Sequence, residues 1–336
     1  MLDIPTMDKI DRQGMYKTYD TWDKIAHNSY YTKHDPIDYN DIDHIVFAGM
    51  GGSGAVGDLM SAILSKTNIH VSLVKGYLLP KTVDSNTLVV TISISGNTAE
   101  TLTVLDTASK KDCKLIAFSS GEKMEAICEK KHLEFRKIEK IHSPRTSFVS
   151  YVYSILATLN PIIPISKHDI SESILELKSL SKKICSSNLS KTNPSLTLAE
   201  WMSGIPLIYY PGGLQAAAVR FKSSLQENAK SHALIEDVIE ASHNGMVSWE
   251  RPSTVKPILL EGRDDYVKTK ERWKIIKDYF EKNGIDYKEV TSARGSILTK
   301  LVGLIYLLDY SSIYYSILSG VDPSPVKTID FIKKRL

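Results

Sequence analysis

Short apolar runs rich in Val and Ile alternate with amphipathic stretches across residues 43–155. The runs fall at 44–48, 69–74, 88–92, 113–118 and 133–136; helical periodicity occupies 53–65, 98–109, 122–129 and 146–159. Strand-length runs separated by helix-length segments predict parallel strands joined by crossover helices, hence a sheet covered on both faces. Pro161 and Pro164 then break the chain, and a Ser/Leu/Lys helix is expected over 169–186. The plan returns afterwards, with a strand at 206–210, a turn at 211–213 and a helix at 214–231. A strand at 256–260, a helix at 267–282, a strand at 286–290 and helices at 295–318 and 326–336 follow. Residues 6–29 read as a helical extension ahead of the first strand. The expectation is an α/β fold of two domains, 1–165 and 166–336, each a doubly wound parallel sheet flanked by helices in a flavodoxin-like, three-layer arrangement.

Two segments in the first half carry candidate chemistry. Gly49-Met-Gly-Gly-Ser-Gly54 and Ser93-Ile-Ser-Gly-Asn-Thr98 each follow an apolar strand and open a helix. A strand that turns sharply into a helix leaves backbone N–H groups converging beside the helix's positive end, a geometry that binds phosphate. Gly49, Gly51 and Gly54 also satisfy G-x-G-x-x-G, the dinucleotide fingerprint. That reading needs an acidic residue at the end of the next strand to hold a ribose hydroxyl. The run 69–74 ends instead in Lys75-Gly76. The glycines could also serve only a tight turn, and Asn97 with Glu100 has the spacing of a capping box that would serve the helix alone. Ser93, Ser95 and Thr98, crowded at one helix entrance, favour the phosphate reading.

Val46 to Gly54 and Ile208-Tyr-Tyr-Pro-Gly-Gly-Leu214 share a pattern of apolar strand, glycine turn and helix. An internal duplication follows, whose second copy has lost the serine chemistry. At 336 residues each half can bury its own core. A net charge of +3 gives no case for a nucleic-acid partner. Cys113, Cys128 and Cys185 are odd in number and lack C-x-x-C spacing, so neither a disulfide framework nor a zinc site is expected. A reducing cytoplasm suits them, and the charged N-terminus shows no secretory leader. Residues 301–318 are apolar, but Asp309, Ser311 and Ser312 interrupt them, so a buried helix is expected and no membrane span.

Strand–Gly-x-Gly-Gly-Ser–helix, then S-x-S-G-N-T-x-E-T, then a duplicated half, resembles the sugar isomerase (SIS) domain superfamily. Ser143-Pro-Arg145, the segment Arg220 to Lys230 with its Glu227-Asn-Ala-Lys230, and Ser242-His-Asn244 narrow the likeness. With Asp322-Pro-Ser-Pro-Val326 near the end, they are similar to the archaeal-type bifunctional phosphoglucose/phosphomannose isomerases. The chain departs from the family pattern at Ile94, where Tyr is common, at Thr146 and Ser147, where a small apolar pair is common, and at Gly245, where an acid often follows His-Asn.

The resemblance implies an aldose–ketose isomerase that moves a carbonyl between C1 and C2 of a hexose 6-phosphate through a cis-enediolate. The hexose 6-phosphate is the expected partner, no redox cofactor is required, and protein donors can replace a metal. Gly52, Ser53, Ser93, Ser95 and Thr98 are then expected to hold the phosphate, and Glu227 to be the base. From spacing alone Glu227 would be an ordinary solvated helix residue, able to pair with Lys230. His243 is expected to assist ring opening, reaching the site from the partner subunit of a homodimer; His232 is its nearest competitor. Arg145 is expected beside the C1–C2 oxygens, Lys333 (with Lys334 adjacent) at ring opening, and Ser324 at the choice between glucose and mannose. The alternative is a non-catalytic phosphosugar-binding regulator of the SIS type.

Overall fold

The computed structural model describes residues 2–32 and 35–335. In chain order the helices and strands begin with α1 (Ile4–Ile10), α2 (Met15–Tyr19), α3 (Trp22–Tyr31), β1 (His44–Ala48), α4 (Gly52–Leu64), β2 (His70–Val74) and β3 (Thr87–Ser93). Next come α5 (Ala99–Ala108), β4 (Lys114–Ser119), α6 (Glu122–Lys131), β5 (Glu134–Lys137), α7 (Phe148–Thr158), α8 (Lys167–Ile184) and α9 (Pro194–Trp201). The remainder comprises β6 (Ile205–Tyr210), α10 (Gln215–Asn228), β7 (Leu234–Asp237), α11 (Val238–Ala241), β8 (Val255–Glu261), α12 (Val267–Lys282), β9 (Lys288–Thr291), α13 (Ile297–Leu318) and α14 (Lys327–Lys333).

These form two compact units, Thr21–Leu175 and Met1–Asp20 with Glu176–Leu336. The sequence reading divides the chain at 165/166 and assigns the N-terminal arm to the first half; in space α1 and α2 belong to the second unit and α3 to the first.

The first unit holds five parallel strands in the order β2-β1-β3-β4-β5, the flavodoxin-like order of doubly wound sheets. β1 and β3 are buried along their whole length, as parallel strands covered on both faces must be, and this explains their uninterrupted apolar sequence. Alternate residues point opposite ways. Val46, Ala48, Val89, Leu115 and Ala117 pack with Leu102 and Leu105 of α5 and Met124 of α6. Phe47 faces α4, where Gly57 lets the helix approach so closely that a Cβ would stand 3.1 Å from that of Phe47.

His44 opens β1 in a buried position, with Nε2 2.9 Å from Ser72 Oγ and Nδ1 3.4 Å from Thr87 Oγ1. Burial, and then the neighbouring His70, lower its pKa below the ordinary 6.5, while Asp84 and Asp43 oppose the shift. A depressed folded pKa means that the unfolded chain takes up the proton first. His44 therefore stabilises the fold above about pH 6.5, and that contribution falls away as pH drops through the folded pKa. The melting temperature should thus fall on acidification through this window more in the wild type than in His44→Gln; parallel pH profiles would discard this linkage.

The second unit repeats the plan with four parallel strands, β7-β6-β8-β9, matching the first four positions of the other sheet. Leu207, Tyr209 and Leu259 pack on one face against Val238, Trp273, Ile276 and Phe280. α10 and α13 pack together within the same unit. α13 is long and apolar enough to cross a membrane by length and composition, yet 83% of its most apolar window is buried inside the protein. Its Tyr306 and Tyr310, one turn apart, clasp the end of α2, and Tyr314 a turn further donates to Ile184 O at 2.8 Å. Tyr306 donates to Tyr19 O at 2.6 Å, Tyr310 to the Asp20 carboxylate, and the rings of Tyr310 and Tyr314 stack at 4.6 Å.

Candidate functional site

β1 and β3 are neighbours in the first sheet, and chain leaves their carboxyl ends in the two glycine/serine loops. In a sheet of this order, that boundary is the switch point where ligands bind. The loops are bonded to each other: the Ile94 N–H donates to Ser53 Oγ at 3.2 Å. Gly49 is required for this approach, because a Cβ there would meet Ile92 O and Ser53 at 3.0 Å. Gly51, at φ +54°, turns the chain into α4, so Gly52 and Ser53 open the helix with no side chain capping it.

Gly96 (φ +71°) makes the second turn, and α5 starts one residue later than a capping box at Asn97 would need. The helix N-cap is accordingly Thr98, without a side-chain capping bond, and the capping box expected for Asn97 and Glu100 does not form. The Thr98 hydroxyl instead accepts from Ser93 Oγ at 3.1 Å and lies 3.4 Å from Ser95 Oγ. Three hydroxyls therefore converge at a helix entrance whose first N–H groups no side chain occupies, an arrangement suited to an anion.

A third loop, which the sequence reading missed, supports the second. Ser119 Oγ donates to Ser93 O at 2.7 Å, the Gly121 N–H donates to Ser119 Oγ at 2.9 Å, and Ser120 Oγ donates to Ile94 O. Gly96 and Gly121 lie back to back, and a Cβ on Gly121 would stand 2.1 Å from Ser95 O. The signal was present in Ser119-Ser120-Gly121, small residues directly after a third apolar strand. Beside these loops lies a cavity of about 890 Å³ whose lining includes Ser95, Asn97, Gly121, Lys123, Lys140 and Pro144. The next residue, Arg145, is buried. Thr146 and Ser147, the polar departures from the family pattern, fix its loop: the Thr146 hydroxyl donates to Ile141 O at 2.5 Å, and Ser147 Oγ accepts from the Ile141 N–H at 2.8 Å.

Lys75, standing where the dinucleotide reading wants an acid, binds the Asp58 carboxylate through both oxygens at 2.6 and 2.7 Å. The second unit's equivalent turn is unsuited to phosphate. Gly212 there lies beside the Asp237 carboxylate, which caps α11 by accepting from Ile239 and Glu240 N–H.

In the second unit α10 carries Glu227. One face of α10 presents Arg220, Ser224 and Asn228 in successive turns to Asp309, Ser312 and Ser316 of α13. Arg220 donates to Asp309 Oδ2 at 2.8 Å, Ser224 to Asp309 Oδ1 at 2.5 Å, Asn228 Nδ2 to Ser312 Oγ at 2.8 Å, and Ser316 Oγ to Asn228 O at 3.0 Å. This polar seam fixes the rotation of the helix. Glu227, off the seam and half-buried, lines a cavity of about 600 Å³ with Gln226, Lys230, Pro325, Val326 and Thr328. The Lys230 ammonium, which sequence reading weighed only as a partner of the Glu227 side chain, donates to the Glu227 carbonyl at 3.0 Å.

Ser324 sits in the turn before α14, its N–H donating to Asp322 Oδ1 at 2.9 Å. Lys333 ends α14 and is exposed. His243 is exposed after α11, and neither it nor Lys333 lines the Glu227 cavity. A Cβ on Gly245 would stand 2.1 Å from Glu236 Oε1. Two acids thus stand close to the His-Asn turn: Glu240, which accepts from Asn244 Nδ2 at 3.0 Å, and Glu236 of β7, whose carboxyl burial, and then Glu240, push upward.

Residues 38–161 match the SIS domain, and residues 191–336 match the bacterial phospho-glucose isomerase C-terminal SIS domain. The bifunctional phosphoglucose/phosphomannose isomerase of Caldicellulosiruptor bescii is 33% identical over 88% of this chain and 90% of that protein. Its namesake in Aquifex aeolicus is 29% identical over 96% of each. Among solved structures, the C-terminal domain of glucosamine-fructose-6-phosphate aminotransferase from Francisella tularensis shares the fold. It has a TM-score of 0.68 at 15% identity, over 92% of this chain and 96% of that one. Both halves, the order of their strands and the run of identity through nearly the whole length agree: the chain belongs to the bifunctional phosphoglucose/phosphomannose isomerase family of SIS-domain proteins.

Proposed function

We propose that the protein interconverts glucose 6-phosphate and fructose 6-phosphate, and mannose 6-phosphate as well, by proton transfer through a cis-enediolate. The observation that carries this reading is the junction of two serine/glycine loops at adjacent strands, each opening a helix whose first turn no side chain caps. That junction offers a dianion several donors at once. The 6-phosphate is held by Gly52, Ser53, Ser93, Ser95 and Thr98, and this remote binding energy is spent on orienting the sugar. Glu227 takes a proton from one carbon of the C1–C2 pair and returns it to the other. Arg145 balances charge on the developing enediolate; a comparable fixed donor contributes about 2.7–4 kcal/mol to lowering a barrier. Lys333 and His243 assist ring opening, with imidazole suited to proton transfer near neutral pH.

His243 serves the site of the partner subunit in a homodimer; its exposure, away from the cavity that Glu227 lines in its own chain, supports that assignment. Ser324 leaves room for the enediolate to rotate, so that the proton can return to C2 from the other face. The reaction belongs to cytoplasmic sugar-phosphate metabolism, at the entry to glycolysis and the exit from gluconeogenesis. The test is a coupled assay of purified protein with fructose 6-phosphate, following both aldose products without added nucleotide. Formation of both is the expected result. Binding of the phosphosugars without turnover would leave a sensor and end the isomerase reading; glucose 6-phosphate alone would end the mannose half.

A further inference from the structure

The end of α10 holds a lysine where helices favour glycine. Lys230 has φ +55°, the left-handed conformation that closes a helix most easily without a Cβ. The following Ser231 N–H bonds back to Leu225 O at 3.2 Å, completing the reversal. A lysine held in this conformation strains the backbone, and its side chain makes contacts that accompany the strain. Its ammonium, with three N–H groups, lies within hydrogen-bonding distance of four carbonyls: Glu227 at 3.0 Å, Asn228 at 3.1 Å, Asp322 at 2.8 Å and Pro323 at 3.1 Å. The first two end the helix, where carbonyls lack intrahelical donors and the dipole is negative. The other two belong to the turn that carries Ser324 and leads into α14. One cation therefore joins the residue that bears the carboxylate to the turn that faces it across the cavity lined by Glu227, Lys230, Pro325 and Val326. Packing alone does not hold α14, for none of its seven residues is buried.

Building on the isomerase reading, we propose that Lys230 is a positioning residue. It tethers the Ser324 turn and the start of α14 to the end of α10, and so sets how the sugar is held against Glu227 and how mannose 6-phosphate competes with glucose 6-phosphate. In this role Lys230 acts through the backbone of two segments.

The informative variant is Lys230→Gly, because glycine suits the left-handed position and so removes the side chain with its ammonium without straining the turn. Lys230→Met is its companion, keeping the side-chain length without charge. In both, kcat is expected to fall by up to about 100-fold, the loss that a displacement near 1 Å can cause. KM for either sugar should change by less than about threefold, since the phosphate contacts are untouched. The ratio of mannose to glucose 6-phosphate turnover should shift, amide exchange over residues 322–335 should quicken, and n-propylammonium should restore part of the activity of Lys230→Gly.

An unchanged kcat and sugar ratio in Lys230→Gly would overturn the proposal. So would a loss of kcat that follows the melting temperature alone, with no shift in ratio and no rescue by amine. Unchanged exchange over 322–335 would remove the tether itself, in an active or an inactive enzyme. A wild-type protein that turns over neither sugar would instead overturn the isomerase reading, and the role of Lys230 in turnover with it.

Discussion

Glu227→Gln is expected to lower kcat for both aldose phosphates by about 10²–10⁴-fold, the usual contribution of a positioned proton-transfer group. Binding of the phosphosugar should stay nearly intact. Glutamine keeps the size and shape of the side chain, and the helix around it is secured by other groups. Asn228 is bonded to Ser312, Leu225 is buried, and the carbonyl of residue 227 itself accepts from Lys230. The substitution removes a proton acceptor and a charge that helps hold Arg220 protonated, and leaves in place the bonds from Arg220 and Ser224 to Asp309. Two measurements separate the possibilities. Steady-state turnover reports the loss, and calorimetric titration with a sugar phosphate reports the binding that should remain. Solvent deuterium should enter the C1–C2 pair in the wild type and not in the variant. A variant that keeps full turnover removes Glu227 from the base role; one that loses affinity in proportion to kcat makes it a binding residue.

The sheets were legible because their central strands are buried on both faces. β1, β3 and β6 are continuous apolar runs, and their observed ends lie within one residue of those read from the pattern. Edge elements were harder. β7, Leu234-Ile-Glu-Asp237, is four residues of mixed polarity with no wholly buried member, and nothing local distinguishes it from a loop. α9 was missed although Asn193-Pro194 is a proper helix opening, with the Asn side chain accepting from Leu196 N–H. β9 begins two residues later than read, at a partly exposed edge of its sheet.

The loops after β1 and β3 could be found because glycine and serine at a strand end have a local meaning. Their bond to one another, Ile94 to Ser53, joins residues far apart in sequence and could not. The same limit applies to the N-terminal arm. The tyrosines of α13 repeat every four residues, a pattern visible in the sequence, but Tyr19 and Asp20, the partners of Tyr306 and Tyr310, lie 287 and 290 residues away. Lys230 is the sharpest instance, for its chemistry depends on a left-handed backbone angle and on carbonyls of residues 322 and 323.

Asp309→Ala should be the most damaging substitution for stability, and its effect should reach the helix that carries Glu227. Asp309 is wholly buried and accepts from Arg220 through both oxygens, from Ser224 at 2.5 Å and from Tyr19 at 3.4 Å. Burial alone would draw the proton off Arg220; Asp309 more than offsets this and holds the guanidinium charged. Removing the carboxylate leaves that charge buried without its counter-ion, which costs about 3–5 kcal/mol. For a unit of this size the melting temperature should drop by about 10 °C or more, read by calorimetry.

The double change Arg220→Met with Asp309→Leu should regain most of the stability, because two apolar groups replace the pair without stranding a charge. Activity should not return with it. Ser224 would have lost its acceptor, and the seam that fixes the rotation of α10, and hence the direction of Glu227, would rest on Asn228 with Ser312 and Ser316 alone. Stability recovered with kcat still depressed would assign the seam to orientation as well as to folding. Full recovery of both would restrict it to folding, and an Asp309→Ala protein that melts with the wild type would refute the buried pair.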